Sequence, residues 1–129
     1  MKKIVIRTVM SLAFMTLIFL LSSCTKSILE LEENPIILSS EAQVKITHVK
    51  NLLSIYSNDP NDEYGLDNGW SFVKSEWLYC YFKRKKNFNE DIKIEVKENT
   101  STESRTIELV IISEVNEDTL IIKQLGKTD

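Results

Sequence analysis

The sequence predicts an all-β protein, a two-sheet antiparallel β-sandwich of about seven short strands preceded by a cleaved signal helix. Three observations carry this. Beyond residue 34 the apolar residues fall in short runs rich in Ile, Val, Tyr and Thr, the β-branched and aromatic types that fit a pleated surface. Clusters of turn-formers separate the runs: "SNDPND", "DNG", "KKNFNED", "ENTSTES" and "SEVNED". No segment after residue 34 holds a helical period of apolar positions over three turns.

Residues 1–23 are the first element. Lys2, Lys3 and Arg7 stand ahead of an apolar run over residues 9–21, 13 positions interrupted only by Ser11 and Thr16. A hydrocarbon core takes about 20 apolar residues to span, so the run suits a secretory h-region better than a permanent membrane helix. It ends in "LSSC", Leu21 to Cys24, which resembles the lipobox of bacterial lipoproteins: an aliphatic residue, two small residues and a cysteine that becomes lipidated and N-terminal. A cysteine thiolate is nucleophilic enough to form the thioether, and the small Ser22 and Ser23 let a protease approach the backbone. Two or more acyl chains on Cys24, at about 0.8 kcal/mol per buried methylene, would anchor the protein to a membrane without a spanning helix. The expected location is the cell envelope, as an outer-membrane lipoprotein facing either the periplasm or the cell surface. Residues 24–34, polar and acidic up to Pro35, read as the lipidated cysteine and a tether, and the sandwich domain is expected over residues 35–126.

Strand candidates then cover residues 36–38, 44–49, 52–57, 70–73, 77–82, 92–97, 106–112 and 120–123. In "IKIEVK" the apolar Ile92, Ile94 and Val96 share one face and Lys93, Glu95 and Lys97 the other, as in a half-buried strand. In "TIELVII" Ile107, Leu109 and Ile111 form the apolar face, and in "TLIIKQL" Leu120 and Ile122 do. In "WLYCYF" the set without hydroxyls, Leu78, Cys80 and Phe82, is expected inward. Trp77, Tyr79 and Tyr81 are expected outward, as a row of rings about 7 Å apart at roughly 3.3 Å of rise per residue. Cys24 and Cys80 are the two cysteines, and lipidation of the first leaves no disulfide; Cys80 behaves as a small buried hydrophobe.

Charge narrows the partners. The whole chain carries −3, but residues 24–129 hold 13 Lys+Arg against 19 Asp+Glu, a net −6, which argues against nucleic acid. The local exception is Lys83, Arg84, Lys85 and Lys86, a solvated loop or a contact for anionic sugars or headgroups. His48 is the single histidine, and no phosphate-binding glycine loop, nucleophile elbow or HExxH is present, so no enzyme activity and no cofactor are expected. In the loop over residues 59–67, Asp59, Asn61 and Glu63 recur at alternate positions. An EF-hand would need Gly in place of Tyr64 and Glu in place of Trp70, which leaves a looser oxygen cluster with Asp62 and Asp67 as a weak calcium candidate.

From residue 36 to 126 the order of features resembles the BACON domain of Bacteroidetes. "GW" at Gly69-Trp70 is followed seven residues later by Trp77-Leu78. Then come a strand ending near Asn99, a Ser/Thr loop from Ser101 to Ser104, Arg105-Thr106 opening the next strand, and a closing strand with Gln124 and Gly126. Ser57-Asn58 fit the earlier part, and the stretch between Asn58 and Gly69 reads as an insertion. The resemblance implies an immunoglobulin-like sandwich, attachment to glycoside hydrolases or other surface proteins, and either carbohydrate or mucin binding or a spacer role. Within that frame Trp77, Tyr79 and Tyr81, with Trp70, are the ligand-binding candidates, because aromatic faces stack on the C–H faces of pyranose rings at little entropic cost. The alternative is a structural or protein-contacting envelope lipoprotein with no glycan affinity.

Overall fold

The computed structural model describes residues 28–84 and 89–128; the signal segment, Cys24, Lys85 and Lys86 lie outside them. Among the described residues there are ten strands and no helix: β1 (Glu30–Leu31), β2 (Ile36–Leu38), β3 (Gln43–Lys50), β4 (Ser54–Ser57), β5 (Glu63–Asp67), β6 (Trp70–Lys74), β7 (Leu78–Lys83), β8 (Asn89–Val96), β9 (Arg105–Ile112) and β10 (Glu117–Gln124). They form a six-stranded sheet in the order β1-β3-β8-β7-β6-β5 and a four-stranded sheet in the order β2-β10-β9-β4. The all-β sandwich is therefore as expected.

The alternation read from the sequence decides which side chains close the sandwich. The larger sheet contributes Val49, Val73, Leu78, Cys80, Phe82, Ile92, Ile94 and Val96, and the smaller one Ile36, Leu38, Ile55, Ile107, Leu109, Ile111, Leu120 and Ile122. Each such side chain stabilises the fold by about 1.5–3 kcal/mol relative to exposure. Cys80 is fully buried, and desolvation holds its thiol far above the ordinary range. At one side the sheets are pinned by the buried Ser71 on β6, whose Oγ accepts the Ile55 amide of β4 at 3.2 Å.

Three features depart from expectation. The sheets are not wholly antiparallel, because β2 runs parallel to β10, Ile122 opposite Ile36. Part of the expected tether belongs to the domain: β1 pairs with β3, Leu29 is buried, and the Leu29 amide bonds Asn116 Oδ1 at 3.2 Å. Leu29 and Leu31 had apolar partners to reach, and backbone pairing with Val49 and Lys50 satisfied the chain between them. The insertion-like stretch before Gly69 supplies a further strand, β5, as half of a hairpin with β6.

Candidate functional site

The hairpin turns on Asn68 and Gly69, with φ of 48° and 83°. Two consecutive left-handed residues are what a tight type I′ turn requires, and Asn-Gly is the pair that meets this at least strain. The turn sets the register: Glu63 faces Lys74, Gly65 faces Phe72 and Asp67 faces Trp70. The next pairing sets Trp70 opposite Lys83, Phe72 opposite Tyr81 and Lys74 opposite Tyr79, and β8 then places Glu95 beside Tyr79 and Lys93 beside Tyr81. Because Ser71, Val73, Leu78, Cys80 and Phe82 are buried, the period of two sends Trp70, Phe72, Tyr79 and Tyr81 to the outer face together.

The four rings touch. Tyr79 and Tyr81 stack with centroids 4.6 Å apart and planes at 30°, Trp70 tilts against Tyr81 at 5.8 Å, and Phe72 tilts against Tyr79 at 6.5 Å. Trp70 keeps 42% and Tyr79 38% of its surface exposed, so the cluster remains open to a ligand. The ring of Phe72 lies over Gly65, where a Cβ would sit 3.5 Å from its edge. Lys83 Nζ stands 6.0 Å from the Trp70 centroid, and the Tyr81 hydroxyl donates to Glu95 Oε1 at 3.0 Å. Burial, and then the bond and charge of Glu95, raise the Tyr81 phenol above its usual pKa, so it is a neutral donor at physiological pH. Together with Glu63, Asp67, Asn68 and Lys74 the rings line a shallow groove of about 740 Å³. An apolar floor with polar groups at its margin suits a hydroxylated ring with two C–H faces.

Of the residues singled out from the sequence, Trp70, Tyr79 and Tyr81 are brought together, but Trp77 is not. The Ser75 amide bonds the Leu78 carbonyl at 2.8 Å and the Leu78 amide bonds Ser75 Oγ at 3.1 Å, a turn that ends the alternation before Trp77. Its ring packs half-buried against the core, with the Arg105 guanidinium 4.6 Å from the centroid. The outward row thus holds two β7 rings instead of three, and they lean to 4.6 Å instead of standing 7 Å apart. Phe72 was missed, although its spacing of two from Trp70 in "WSFVK" was the available signal.

The remaining candidates resolve more simply. Asp59 Oδ1 accepts the Asn61 amide at 2.9 Å, and Asp62 Oδ2 accepts the Ser57 hydroxyl at 2.5 Å, so these carboxylates hold the turn that leads into β5. Glu63 and Asp67 stand on β5, and among the described residues no three His, Cys, Asp or Glu gather as a metal site. His48 Nδ1 lies 2.9 Å from Asp91 on the outer face.

Asn99, Arg105 and Gln124 meet at one end of the sandwich. Arg105 Nε donates to Gln124 Oε1 at 2.8 Å and Nη2 to the Lys97 carbonyl at 2.9 Å, and Gln124 Nε2 reaches that same carbonyl at 2.9 Å. Asn99 Nδ2 donates to the carbonyls of Glu103 and Leu125. Burial lowers the Arg105 pKa, partly offset by the charge of Glu76, and the side chain stays cationic.

No family model matches the chain, and no curated protein matches it in sequence. Solved structures do match in fold. The chain is similar to part of a Bacteroides ovatus GH5 xyloglucanase in complex with a XXXG heptasaccharide, with a TM-score of 0.52 and 9% identity, covering 78% of this chain and 19% of that one. It is also similar to a protein from Bacteroides thetaiotaomicron determined by NMR, with a TM-score of 0.50 and 12% identity over 78% of this chain and 89% of that one. The chain spans about a fifth of the xyloglucanase, and at these identities the likeness concerns the fold. The class so defined is a two-sheet β-sandwich with an aromatic outer face.

Proposed function

We propose that this is a non-catalytic, lipid-anchored protein of the cell envelope whose sandwich binds carbohydrate through Trp70, Tyr79 and Tyr81 with Phe72. The single observation that carries the reading is that four rings on β6 and β7 form one open, contiguous outer face. Aromatic side chains at a sheet surface commonly pair to stabilise strands. Here two of them keep over a third of their surface in water, and the groove beside them is bordered by Glu63, Asp67 and Lys74, which can bond sugar hydroxyls. The fold likeness to part of a xyloglucanase and the BACON-like order of residues agree with a carbohydrate context. Anchoring rests on the leader and on "LSSC" at Leu21 to Cys24.

Affinity electrophoresis of the purified protein in gels containing xyloglucan, xylan or mucin tests the reading. Retardation is expected and is to vanish in the Trp70→Ala/Tyr79→Ala double variant while far-UV circular dichroism stays unchanged; migration unaffected by every polysaccharide refutes it. Radiolabelled palmitate is expected in the wild-type protein and absent from Cys24→Ser. A second reading, an envelope spacer or protein-contacting lipoprotein, draws on the edge strand β5, where Tyr64 and Leu66 are 55% and 61% exposed. It is preferred if glycan binding fails while Leu66→Asp disrupts a complex isolated from the envelope.

A further inference from the structure

We infer that the aromatic face is two grooves joined across a ridge, and that it takes an internal stretch of an extended, uncharged polysaccharide laid across the strands. This rests on the carbohydrate reading above and names its substrate class. Trp70 and Tyr81, 5.8 Å apart, border the groove over β5 and β6 and also a second groove of about 270 Å³ on their other side. Ile46, Asp91 and Lys93 line that second groove, and Ile46 is 54% exposed although it is a large apolar side chain. The paired positions Gly65, Phe72, Tyr81, Lys93 and Ile46 follow one another across β5, β6, β7, β8 and β3. At roughly 4.8 Å between neighbouring strands this row is about 19 Å long, several sugar units rather than one.

Both ends of the row are open. β5 is an edge strand; beyond β3 the short β1 pairs with Val49 and Lys50 and the Glu32 amide bonds the His48 carbonyl at 3.2 Å, but among the described residues no strand pairs with Ile46 on that side. A site that reads a chain end needs a wall to stop the chain, and neither end of this row has a strand to build one. Charge selects the polymer. Among the described residues, the outward charged side chains of the two grooves are Glu63, Asp67 and Asp91 against Lys74, Lys83 and Lys93, with no cationic surplus. Glu63 sits opposite Lys74, and Asp91 is bonded to His48. A carboxylated or sulfated chain would meet no net attraction, while hydroxyls can bond either sign.

Calorimetry of the full chain with cellobiose through cellohexaose, each with free and borohydride-reduced ends, and with xyloglucan and polygalacturonate tests this. Affinity is expected to rise about tenfold or more from the disaccharide to the hexasaccharide, to be unchanged by end reduction, and to be weaker for polygalacturonate. Ile46→Ser and Lys93→Ala, checked for native circular dichroism, are expected to weaken hexasaccharide binding several-fold and to leave the disaccharide unchanged. Length-independent affinity, loss on end reduction, or tighter binding of polygalacturonate overturns the inference but leaves the carbohydrate reading standing. No binding of any of these glycans, with migration also unaffected in the xyloglucan, xylan and mucin gels, sinks both.

Discussion

The two tryptophans occupy opposite situations. Trp70 stands in a strand on an outer face, 42% exposed, with rings on one side and a lysine above. Trp77 stands in a turn at the sandwich end, packed on the core beneath the Arg105 guanidinium. The ring and cation beside Trp70, Tyr81 and Lys83, stand at a water-facing surface, so the region can exchange solvent for a ligand. Around Trp77 the neighbours are a buried network: Gln124 is fully buried and Asn99 nearly so, and their amides satisfy backbone carbonyls of Ser40, Lys97, Glu103 and Leu125. A polar network at that depth is stabilising only while complete, since each orphaned group costs about 1–3 kcal/mol. The same residue type thus serves contact in one region and closure of the fold in the other.

The comparison is broken most severely at Gly126, in the network region. A Cβ there would sit 2.0 Å from the Thr102 carbonyl oxygen and 2.3 Å from its carbon, and backbone cannot give way as a side chain can. Gly126→Ala is expected to cost about 3 kcal/mol or more in urea unfolding, and a loss within experimental error would show the end to be loose.

Next in size is the contrast between the tryptophans themselves. Trp77→Ala is expected to lower stability by about 2–3 kcal/mol, with glycan affinity intact in the molecules that remain folded. Trp70→Ala is expected to cost under about 1 kcal/mol of stability and to weaken polysaccharide binding about tenfold or more. Unfolding curves and affinity gels on both variants decide it, and an interchange of the two outcomes would reverse the assignment of the regions.

The smallest effect concerns Tyr81. Its pKa is raised in the folded protein, by burial first and by Glu95 second, so the neutral phenol is favoured by folding. That contribution is complete below the unfolded value of about 10 and is lost as the pH rises through the higher folded value. Ultraviolet titration is expected to show Tyr81 ionising above the ordinary phenol value, and Glu95→Gln is expected to lower it. An unchanged titration in that variant would remove Glu95 as a partner.

Much of the fold was legible because a period of two survives in any strand with one wet face. Ile92, Ile94 and Val96, or Leu78, Cys80 and Phe82, declare their inward side without a template. β5 was not legible. "EYGLD" carries no apolar alternation strong enough to mark a strand, and an edge strand buries too little to demand one. β1 was obscured in the same way, as a two-residue pairing inside an acidic segment. Of the site, Tyr79 and Tyr81 followed from alternation, Phe72 was available from the same rule, and the displacement of Trp77 depended on the hydrogen bonds of Ser75.

By itself the sequence determined that the described domain is all-β, which side chains enter its core, and that Tyr79 and Tyr81 point away from it. Those are properties of neighbours along the chain, decided by spacing and polarity. Tertiary structure alone decided that β5 and β6 bring Trp70 and Phe72 beside the β7 tyrosines, that Ile46 continues their surface across β8, and that Trp77 serves the core under Arg105. The physical reason is that strand order and register join residues far apart in sequence, and no local pattern encodes which strand becomes the neighbour of which.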